Sequence, residues 1–439
     1  MRLGTRLPTV LLLVSAVLCQ DKAGPHRCPP RCLCYKFLPH VSCRRKNIRE
    51  ISPHLPQSTK QLDYSNNNIK SVPDFIFSKM DRLEELNLNK NMLTEGGITQ
   101  FSFLGLYNLG KLYLANNDFG VISRSMFQHL SRLKYLDLAG NRIYSVELDA
   151  FYYLRNLQSL VMKYDNPRAP LPSSALHITT LRLLRLYGRM PQKTVPRGLF
   201  AYLYNVEYIE LFDMSIRRVD RDLIYGSQKL WGISMDMNKL RDLPEDLFRY
   251  NKNLKSISLS FNRFRDIPMA VKRVTWLENL YFNGNPVRML TPQSFEGLGE
   301  LKLLHIGAIP GLVTISRTFF LNVPNLEFLS LSGNRRLSKI HQDAMLYVPK
   351  LKMLSMDRCN LTSLDKSTLS GGYLRVVSME NNPWSCDCGL KWLTEFLTGE
   401  EKVRVTSKED ITCSKPKRLA GMKLEQVPPN EFIVAESRC

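Results

Sequence analysis

Hydrophobic positions along this chain recur with a period close to 24 residues. The segment that repeats reads L-x-x-L-x-L-x-x-N-x-L, so that apolar positions alternate briefly and are followed by one fixed asparagine. The full pattern is present at Leu83-Leu86-Leu88-Asn91-Leu93, Leu133-Leu136-Leu138-Asn141-Ile143 and Leu254-Ile257-Leu259-Asn262-Phe264. The L-x-L alternation predicts a short β-strand whose leucines point inward while the residues between them point outward.

The fourth position of each unit serves as an anchor, and fourteen units follow one another at spacings of 23 to 26 residues. The anchors are Leu62, Leu86, Leu112, Leu136, Leu160, Leu184, Ile209, Ile233, Ile257, Leu280, Leu304, Leu329, Leu354 and Val377. This period and pattern resemble the leucine-rich repeat. Because no unit can bury its apolar face alone, we expect an α/β solenoid of about 14 repeats with a curved parallel sheet on its concave face.

Two further positions of the repeat predict how its interior is filled. The asparagine should turn inward, where its amide can satisfy backbone groups of neighbouring turns. A second apolar position follows about fifteen residues after the anchor and should form a stacked spine on the outer side. Its phenylalanines are Phe77, Phe103, Phe127, Phe151, Phe200, Phe248, Phe295 and Phe320.

The N-terminal residues predict secretion. Arg2 and Arg6 precede an apolar run, Val10–Leu18, which is typical of a signal peptide and too short to span a membrane. We therefore expect residues 1–20 to be removed and the protein to act in the extracellular space or matrix, without a membrane-spanning segment. Removal of the two arginines leaves 59 basic residues against 40 acidic ones, a formal charge near +19.

Eight of the ten cysteines form two clusters at the ends of the repeats. In a secreted chain such clusters favour disulfides, whereas the C-x-C spacing is poor for tetrahedral zinc. A solenoid also has two exposed apolar ends that need caps. The clusters are therefore predicted to be caps, and the connectivity within each cluster is left open by the residues alone.

The clusters resemble the flanking caps of extracellular leucine-rich repeat proteins. Cys28-Pro-Pro-Arg-Cys32-Leu-Cys34, followed by Cys43, has a spacing similar to that of chondroadherin-like matrix proteins, and Asn382-Pro383-Trp384-Ser385-Cys386-Asp387-Cys388 resembles the C-terminal flank shared with adhesion-receptor ectodomains. The resemblance implies the pairs Cys28–Cys34, Cys32–Cys43, Cys386–Cys413 and Cys388–Cys439. It also implies an N-terminal cap at 21–57, repeats at 58–381 and a C-terminal cap at 382–439.

The sequence contains none of the catalytic motifs considered below. The seven histidines are scattered, and the chain contains no H-E-x-x-H, no phosphate-binding glycine loop and no nucleophile elbow. We expect no enzyme, no cofactor, no metal site and, for a secreted chain, no nucleic-acid partner.

Protein recognition through the concave sheet is the leading functional hypothesis. Outward positions in consecutive middle units carry aromatic and apolar side chains with one arginine, a composition suited to a partner's hot spot. These residues are Tyr113, Tyr135, Leu183, Arg185, Tyr187, Tyr208 and Phe212. The alternative is that tyrosines are here because they favour strands and stack across them. Later units return to serine, as at Ser234, Ser258 and Ser330.

The same region departs from the repeat. The asparagine position is occupied by Asp165, Arg189 and Met214 in consecutive units, which predicts a loosened ladder or reshaped loops. Local departures of this kind favour a functional site and so support the hypothesis above, and sequence drift is the alternative.

Basic residues suggest a second class of function. Repetition should bring Arg189, Arg217 and Lys239 near one another on one edge, where they could bind a glycosaminoglycan or remain solvated. The alternatives to protein recognition are thus a matrix component that binds collagen or sulfated glycans by charge, and innate immune pattern recognition.

Two residues near the last repeats are predicted separately. Cys359 occupies an asparagine position and is expected to be a buried free thiol rather than an intermolecular bridge. Asn360-Leu361-Thr362 is an N-glycosylation sequon, so Asn360 is the expected glycan site.

Overall fold

The computed structural model describes residues 28–35, 38–166, 168–190, 193–399, 402–434 and 437–438. These residues form two compact units, one ending at Met162 and the other starting at Lys163. The predicted signal segment 1–20 and Cys439 lie outside the described residues.

Short strands dominate the secondary structure. Numbered along the chain, they are β1 Leu33–Cys34, β2 His40–Ser42, β3 Gln61–Asp63, β4 Glu85–Asn87, β5 Lys111–Tyr113, β6 Val121–Ile122, β7 Tyr135–Ile143, β8 Ser145–Val146, β9 Ser159–Tyr164, β10 Leu183–Gly188, β11 Tyr208–Phe212, β12 Gly232–Ser234, β13 Ser256–Ser258, β14 Asn279–Tyr281, β15 Leu303–His305, β16 Thr314–Ile315, β17 Phe328–Ser330, β18 Lys339–Ile340, β19 Met353–Ser355, β20 Val376–Ser378, β21 Trp384–Ser385, β22 Arg404–Val405, β23 Cys413–Lys415, β24 Ile433–Val434 and β25 Ser437–Arg438.

Helices are few and short. The α-helices are α1 Met269–Lys272 and α2 Lys391–Thr398. Single 3₁₀ turns lie at Glu95–Gly97, Ser125–Phe127, Pro292–Phe295, Ala344–Tyr347, Lys366–Leu369, Cys388–Leu390, Lys408–Asp410, Lys417–Leu419, Leu424–Gln426 and Pro429–Glu431.

The predicted anchors are confirmed as the interior residues of the strands. All fourteen lie in strands and are at most 2% exposed. In the first unit β2, β3, β4, β5 and β7 pair in parallel, so that Leu62 lies opposite Leu86 and Leu86 opposite Leu112. Because the side-chain period of a strand is two, this register places every anchor inward and its flanking residues outward.

The second unit continues the same parallel pairing within its own residues. Strands β10 to β15, β17, β19, β20 and β22 pair successively, with Ile209 opposite Ile233 and Leu354 opposite Val377. Two strands that join this parallel pairing belong to the caps: β2 pairs with β3 in the first unit, and β22 pairs with β20 in the second. The caps therefore pair with the backbone edge of the terminal repeats as well as covering them.

The asparagine ladder is confirmed. Asn141 is fully buried, and its amide Nδ2 donates to the carbonyl oxygens of Leu114 and Leu138 at 3.0 and 2.9 Å. Its Oδ1 accepts from the backbone N–H groups of Asn117 and Phe119 at 3.1 and 3.3 Å. Each asparagine thus satisfies backbone groups of its own turn and of the preceding turn, which a buried loop would otherwise leave unpaired.

The repeats that lack asparagine differ locally from the others, which agrees with the predicted alternative of a reshaped backbone. Their strands are longer than the usual three residues: β9 and β10 have six and β11 has five. Strand β10 pairs with β11 over Leu183–Tyr187 and Tyr208–Phe212. The missing amide is not the only cause of a long strand, since β7 contains Asn141 and has nine residues. Met214 fills the interior position as a buried apolar side chain.

The outer spine is also confirmed, since all eight predicted phenylalanines are at most 3% exposed. Phe127 and Phe151 stack with their ring centroids 6.2 Å apart. In another repeat the ring next to Phe295 belongs to Phe319, with the centroids 5.5 Å apart, although Phe320 was predicted for that position.

The caps contain the predicted disulfides as far as they are described. Cys28–Cys34, Cys32–Cys43 and Cys386–Cys413 are formed. Cys388 is also disulfide-bonded, and its predicted partner Cys439 lies outside the described residues. In the C-terminal cap Trp384 is completely buried, and the indole N–H of Trp392 donates to the carbonyl oxygen of Leu364 at 3.2 Å.

Cys359 is a free, buried cysteine, as predicted. Its thiol donates to the carbonyl oxygen of Leu331 at 3.2 Å and so replaces one bond of the missing asparagine. Burial raises the pKa of this thiol to about 11.

Because the thiolate is the reactive form, we expect iodoacetamide to leave Cys359 unmodified in the folded protein between pH 7 and about 9. Peptide mapping after alkylation with and without denaturant checks this, and modification in the native state at pH 7 would contradict it.

Candidate binding surface

The outward face of the parallel sheet in the second unit consists of two rows of side chains, one on each side of the anchors. The first row is Leu183, Tyr208, Gly232, Ser256, Asn279, Leu303, Phe328, Met353 and Val376. The second row is Arg185, Glu210, Ser234, Ser258, Tyr281, His305, Ser330, Ser355 and Ser378. Residues of one row are neighbours because the register of the pairing repeats without a shift.

Five of the predicted partner-binding residues lie together at the start of this face. Leu183 is opposite Tyr208, Arg185 opposite Glu210, and Tyr187 opposite Phe212. Phe212 is 41% exposed, which is unusual for a phenylalanine on an ordered strand. The Nε of Arg185 lies 2.9 Å from Oε2 of Glu210, so its charge is compensated within the sheet and the predicted role of a lone orienting charge changes to that of an ion pair.

Gly232 positions the aromatic ring of Tyr208. A Cβ atom at position 232 would lie 2.6 Å from Cδ2 of Tyr208, so the tyrosine ring occupies the space that any other residue would fill. Burial against the sheet raises the pKa of the Tyr208 phenol. Trp231 packs beside the same ring at a centroid distance of 5.3 Å and is 45% exposed. Tyr208, Trp231, Tyr187 and Phe212 are called the aromatic patch below.

A second aromatic group lies farther along the same face. His305 stacks between Tyr281 and Phe328, with centroid distances of 4.9 Å on both sides. Burial between the two rings lowers the pKa of His305, which favours the neutral imidazole. The expectation that later units return to serine is therefore incomplete.

The sequence analysis did not identify the second aromatic group or Trp231. Tyr281 and His305 directly follow their anchors, and Phe328 directly precedes its anchor. Trp231 lies one position farther out on its strand's N-terminal side. Reading every unit at the same offsets would have identified the stack, whereas the contact of Trp231 with Tyr208 depends on side-chain geometry.

The two remaining predicted residues, Tyr113 and Tyr135, lie in the first unit. Their ring centroids are 5.1 Å apart, and Tyr113 lies opposite Asp137 on the neighbouring strand. Burial raises the pKa of the Asp137 carboxyl group. The predicted site therefore consists of two groups of residues, one in each unit.

Two half-buried carboxylates on the second unit's face accept hydrogen bonds from serines. Asp236 accepts from the Ser258 hydroxyl and from the Ser260 backbone N–H, both near 2.6 Å. Asp357 accepts from the hydroxyls of Ser332, Ser355 and Ser378. Within the part of the chain that the structure describes, no three His, Cys, Asp or Glu side chains are grouped as they would be to hold a metal ion.

Two further predictions concern glycosylation and membrane-spanning segments. Asn360 is exposed at the surface, a position that a glycan could occupy, and its modification stays a prediction. A search of the described residues finds no helix with the length and apolar character needed to cross a membrane.

Two family models match the repeats. The model described as leucine rich repeat matches residues 57–119, 107–167 and 310–382. The model described as BspA type leucine rich repeat region matches residues 190–297. Together they match most of the repeats of both units, while residues 168–189 and 298–309 lie outside the matched ranges.

Several curated proteins are similar in sequence. Mouse podocan is 26% identical over 367 residues, covering 76% of this chain and 58% of the relative. Mouse podocan-like protein 1 is 28% identical over 373 residues, covering 78% and 65%. Human reticulon-4 receptor-like 2 is 32% identical over 154 residues, covering 35% and 30%. The chain thus spans about three-fifths of the length of the podocan relatives that it matches.

Solved structures share the fold. A leucine-rich repeat protein of Leptospira interrogans superposes with a TM-score of 0.63 at 21% identity, covering 84% of this chain and 95% of the other. A chain of the Toll–Spätzle complex of Drosophila superposes with a TM-score of 0.60 at 22% identity, covering 88% and 57%. At these identities the likeness concerns the fold alone.

Proposed function

The chain belongs to the leucine-rich repeat proteins, and from this premise we propose that it is an extracellular scaffold that binds a protein partner through the outward face of its parallel sheet. The aromatic patch of the second unit is the proposed contact, and cell adhesion, matrix organisation or receptor signalling is the proposed setting. The disulfides in both caps support an oxidising compartment.

The observation that supports this proposal most directly is a group of exposed aromatic side chains on the outward face of the sheet. Phe212 and Trp231 are 41% and 45% exposed. Tyrosine and tryptophan are the residues that most often supply binding energy in protein interfaces, because they bury a large area with few rotatable bonds. Phe212 lies on β11 and Trp231 directly precedes β12, so the backbone of both is ordered and little conformational entropy is lost on binding.

The surroundings of the patch indicate the chemistry of the partner. Arg185 and Glu210 already form an ion pair beside Tyr187 and Tyr208, so the centre of the surface is apolar and has no uncompensated charge. A partner that presents an aliphatic or aromatic loop would complement this centre. The Toll–Spätzle complex supports the fold as a framework for such contacts, since a chain with this fold takes part there in a protein complex.

The test compares the patch with exposed aromatic residues elsewhere in the second unit. The variant Tyr187→Ala, Tyr208→Ala, Phe212→Ala is matched by Tyr202→Ala, Tyr225→Ala, Tyr250→Ala, whose tyrosines lie in turns of the second unit and are 40%, 56% and 42% exposed. A partner is first isolated from extracellular fractions on the immobilised wild-type protein and identified. Its dissociation constant is then measured with all three proteins.

We expect the patch variant to weaken binding at least about tenfold, because hot-spot aromatics each contribute on the order of 2 kcal/mol. The matched variant should change binding by less than about twofold. Binding should persist between roughly 0.15 and 0.5 M salt, since an apolar contact is not screened. Equal losses in both variants, or binding that collapses over this salt range, would contradict the proposal.

A further inference from the structure

The second unit contains a groove in which five of the nine lining residues are basic. It encloses about 540 Å³, and its lining includes Arg217, Arg218, Lys239, Arg241 and Arg263, called the basic groove below. Arg217 and Lys239 were predicted to lie near one another on an edge, and the structure brings them into the same lining. Arg189 was predicted with them but does not line the groove.

Consecutive repeats build the groove by presenting cations at equivalent positions. The backbone N–H of Arg217 donates to the carbonyl of Lys193 at 2.7 Å, and that of Lys239 donates to Ile216 at 2.8 Å. The N–H of Arg263 donates to Leu240, also at 2.8 Å. Each bond joins one turn to the next, so the three turns are held side by side. Backbones paired in this way lie about 4.8 Å apart, which gives the cations a regular spacing along the edge.

The charge of the groove is not compensated internally. Other basic residues of the second unit form ion pairs, as Arg182 does with Glu207, Arg221 with Asp246 and Lys255 with Glu278. None of the five groove cations has an ion pair with another residue of the described ranges. Asp242 is the one carboxylate in the lining, and its Oδ1 accepts from the backbone N–H of Leu243. The lining therefore carries a net formal charge of +4, five cations against one carboxylate, and its potential attracts polyanions.

The composition of the groove indicates the kind of anion. Four of the five cations are arginines, whose planar guanidinium forks bind oxyanions through paired hydrogen bonds. Val219, Leu243 and Pro244 also line it and offer an apolar surface against which a ring could lie. A linear polymer with regularly spaced oxyanions on sugar rings matches both features. We propose that the basic groove binds a sulfated glycosaminoglycan chain, separately from the aromatic patch.

The experiment measures binding of a heparin oligosaccharide to the purified protein by isothermal titration and by salt elution from a heparin column. The groove variant Arg217→Gln, Arg241→Gln, Arg263→Gln removes one cation from each of the three turns. The matched variant Lys339→Gln, Lys366→Gln, Lys417→Gln removes the same charge from exposed positions of the second unit outside the groove. Circular dichroism confirms that all the proteins are folded.

We expect the groove variant to bind heparin about tenfold more weakly at 0.15 M salt, because three charge contacts are lost. The matched variant should lose less than about twofold, and hyaluronan of the same length, which carries no sulfate, should bind at least about tenfold more weakly than heparin to the wild type. Equal losses in the two variants would show a bulk charge effect and overturn the proposal. Binding of polyglutamate or of phosphatidylserine vesicles that matches heparin and is abolished by the groove variant would assign the groove to another class of partner.

Discussion

We expect Asn141→Ala to lower the free energy of unfolding of the protein by about 3 kcal/mol, although the substitution removes only one small side chain. Asn141 is fully buried and makes hydrogen bonds to the carbonyls of Leu114 and Leu138 and from the N–H groups of Asn117 and Phe119. Alanine would leave these backbone groups in an apolar interior without partners. Each orphaned group costs about 1–3 kcal/mol, and local rearrangement recovers part of the total.

Urea unfolding followed by circular dichroism measures the loss, with amide hydrogen exchange at Asn117 and Phe119 as the local readout. Asn156→Ala is the matched control in the same unit, because Asn156 is exposed and donates one bond to the carbonyl of Ser131. We expect the control to cost less than about 1 kcal/mol. A loss at Asn141 no greater than that of the control, with protected amides at Asn117 and Phe119, would refute the ladder as a source of stability.

The second large effect concerns the C-terminal cap. Cys386→Ala combined with Cys413→Ala should destabilise the protein by about 3.5 kcal/mol, because the disulfide closes a segment with a sequence separation of 27. Removing it releases the constraint on the unfolded chain and loosens β21 and β23, whose pairing places Trp384 opposite Cys413. Both cysteines are at most 2% exposed, so alanine avoids burying a hydroxyl group.

The N-terminal pair is the internal comparison. Cys28–Cys34 has a sequence separation of 6, for which the same chain-entropy relation gives about 2 kcal/mol. We therefore expect the C-terminal double variant to unfold at a lower urea concentration than the variant Cys28→Ala, Cys34→Ala. The reverse order would show that loop length does not determine the contribution of these caps.

The fold could be predicted because the same spacing of inward-facing positions recurs in fourteen units. Leu136 or Ile257 alone is uninformative, but fourteen anchors at nearly constant spacing admit one way of stacking strands with the same side inward. The role of Asn141 could be predicted from the same pattern. A polar residue that recurs at a fixed position among buried apolar residues is expected to bond to backbone groups. At Asp165, Arg189 and Met214 the pattern is interrupted, and the local backbone there could not be predicted in detail because it depends on the neighbouring turns.

The candidate site was predicted in part for the same reason. Tyr187, Tyr208 and Phe212 could be placed on the outward face by their offsets from the anchors, and the pairing of β10 with β11 brings them together. Trp231 could not be assigned to them, because its contact with Tyr208 requires the space left by Gly232. The neutralisation of Arg185 by Glu210 likewise depends on which strands are neighbours and on the side chains' conformations.

The sequence by itself determined the repeat, the inward and outward sides of each strand and the disulfide-bonded caps, because these follow from local periodicity and from cysteine clusters at fixed places. Only the tertiary structure decided which outward residues touch, which charges are compensated and which remain free. The cations of the basic groove are separated by more than twenty residues from one turn to the next, and they face a common space because backbone hydrogen bonds hold those turns side by side. Contacts of that kind depend on side-chain packing between turns, which a one-dimensional pattern does not specify.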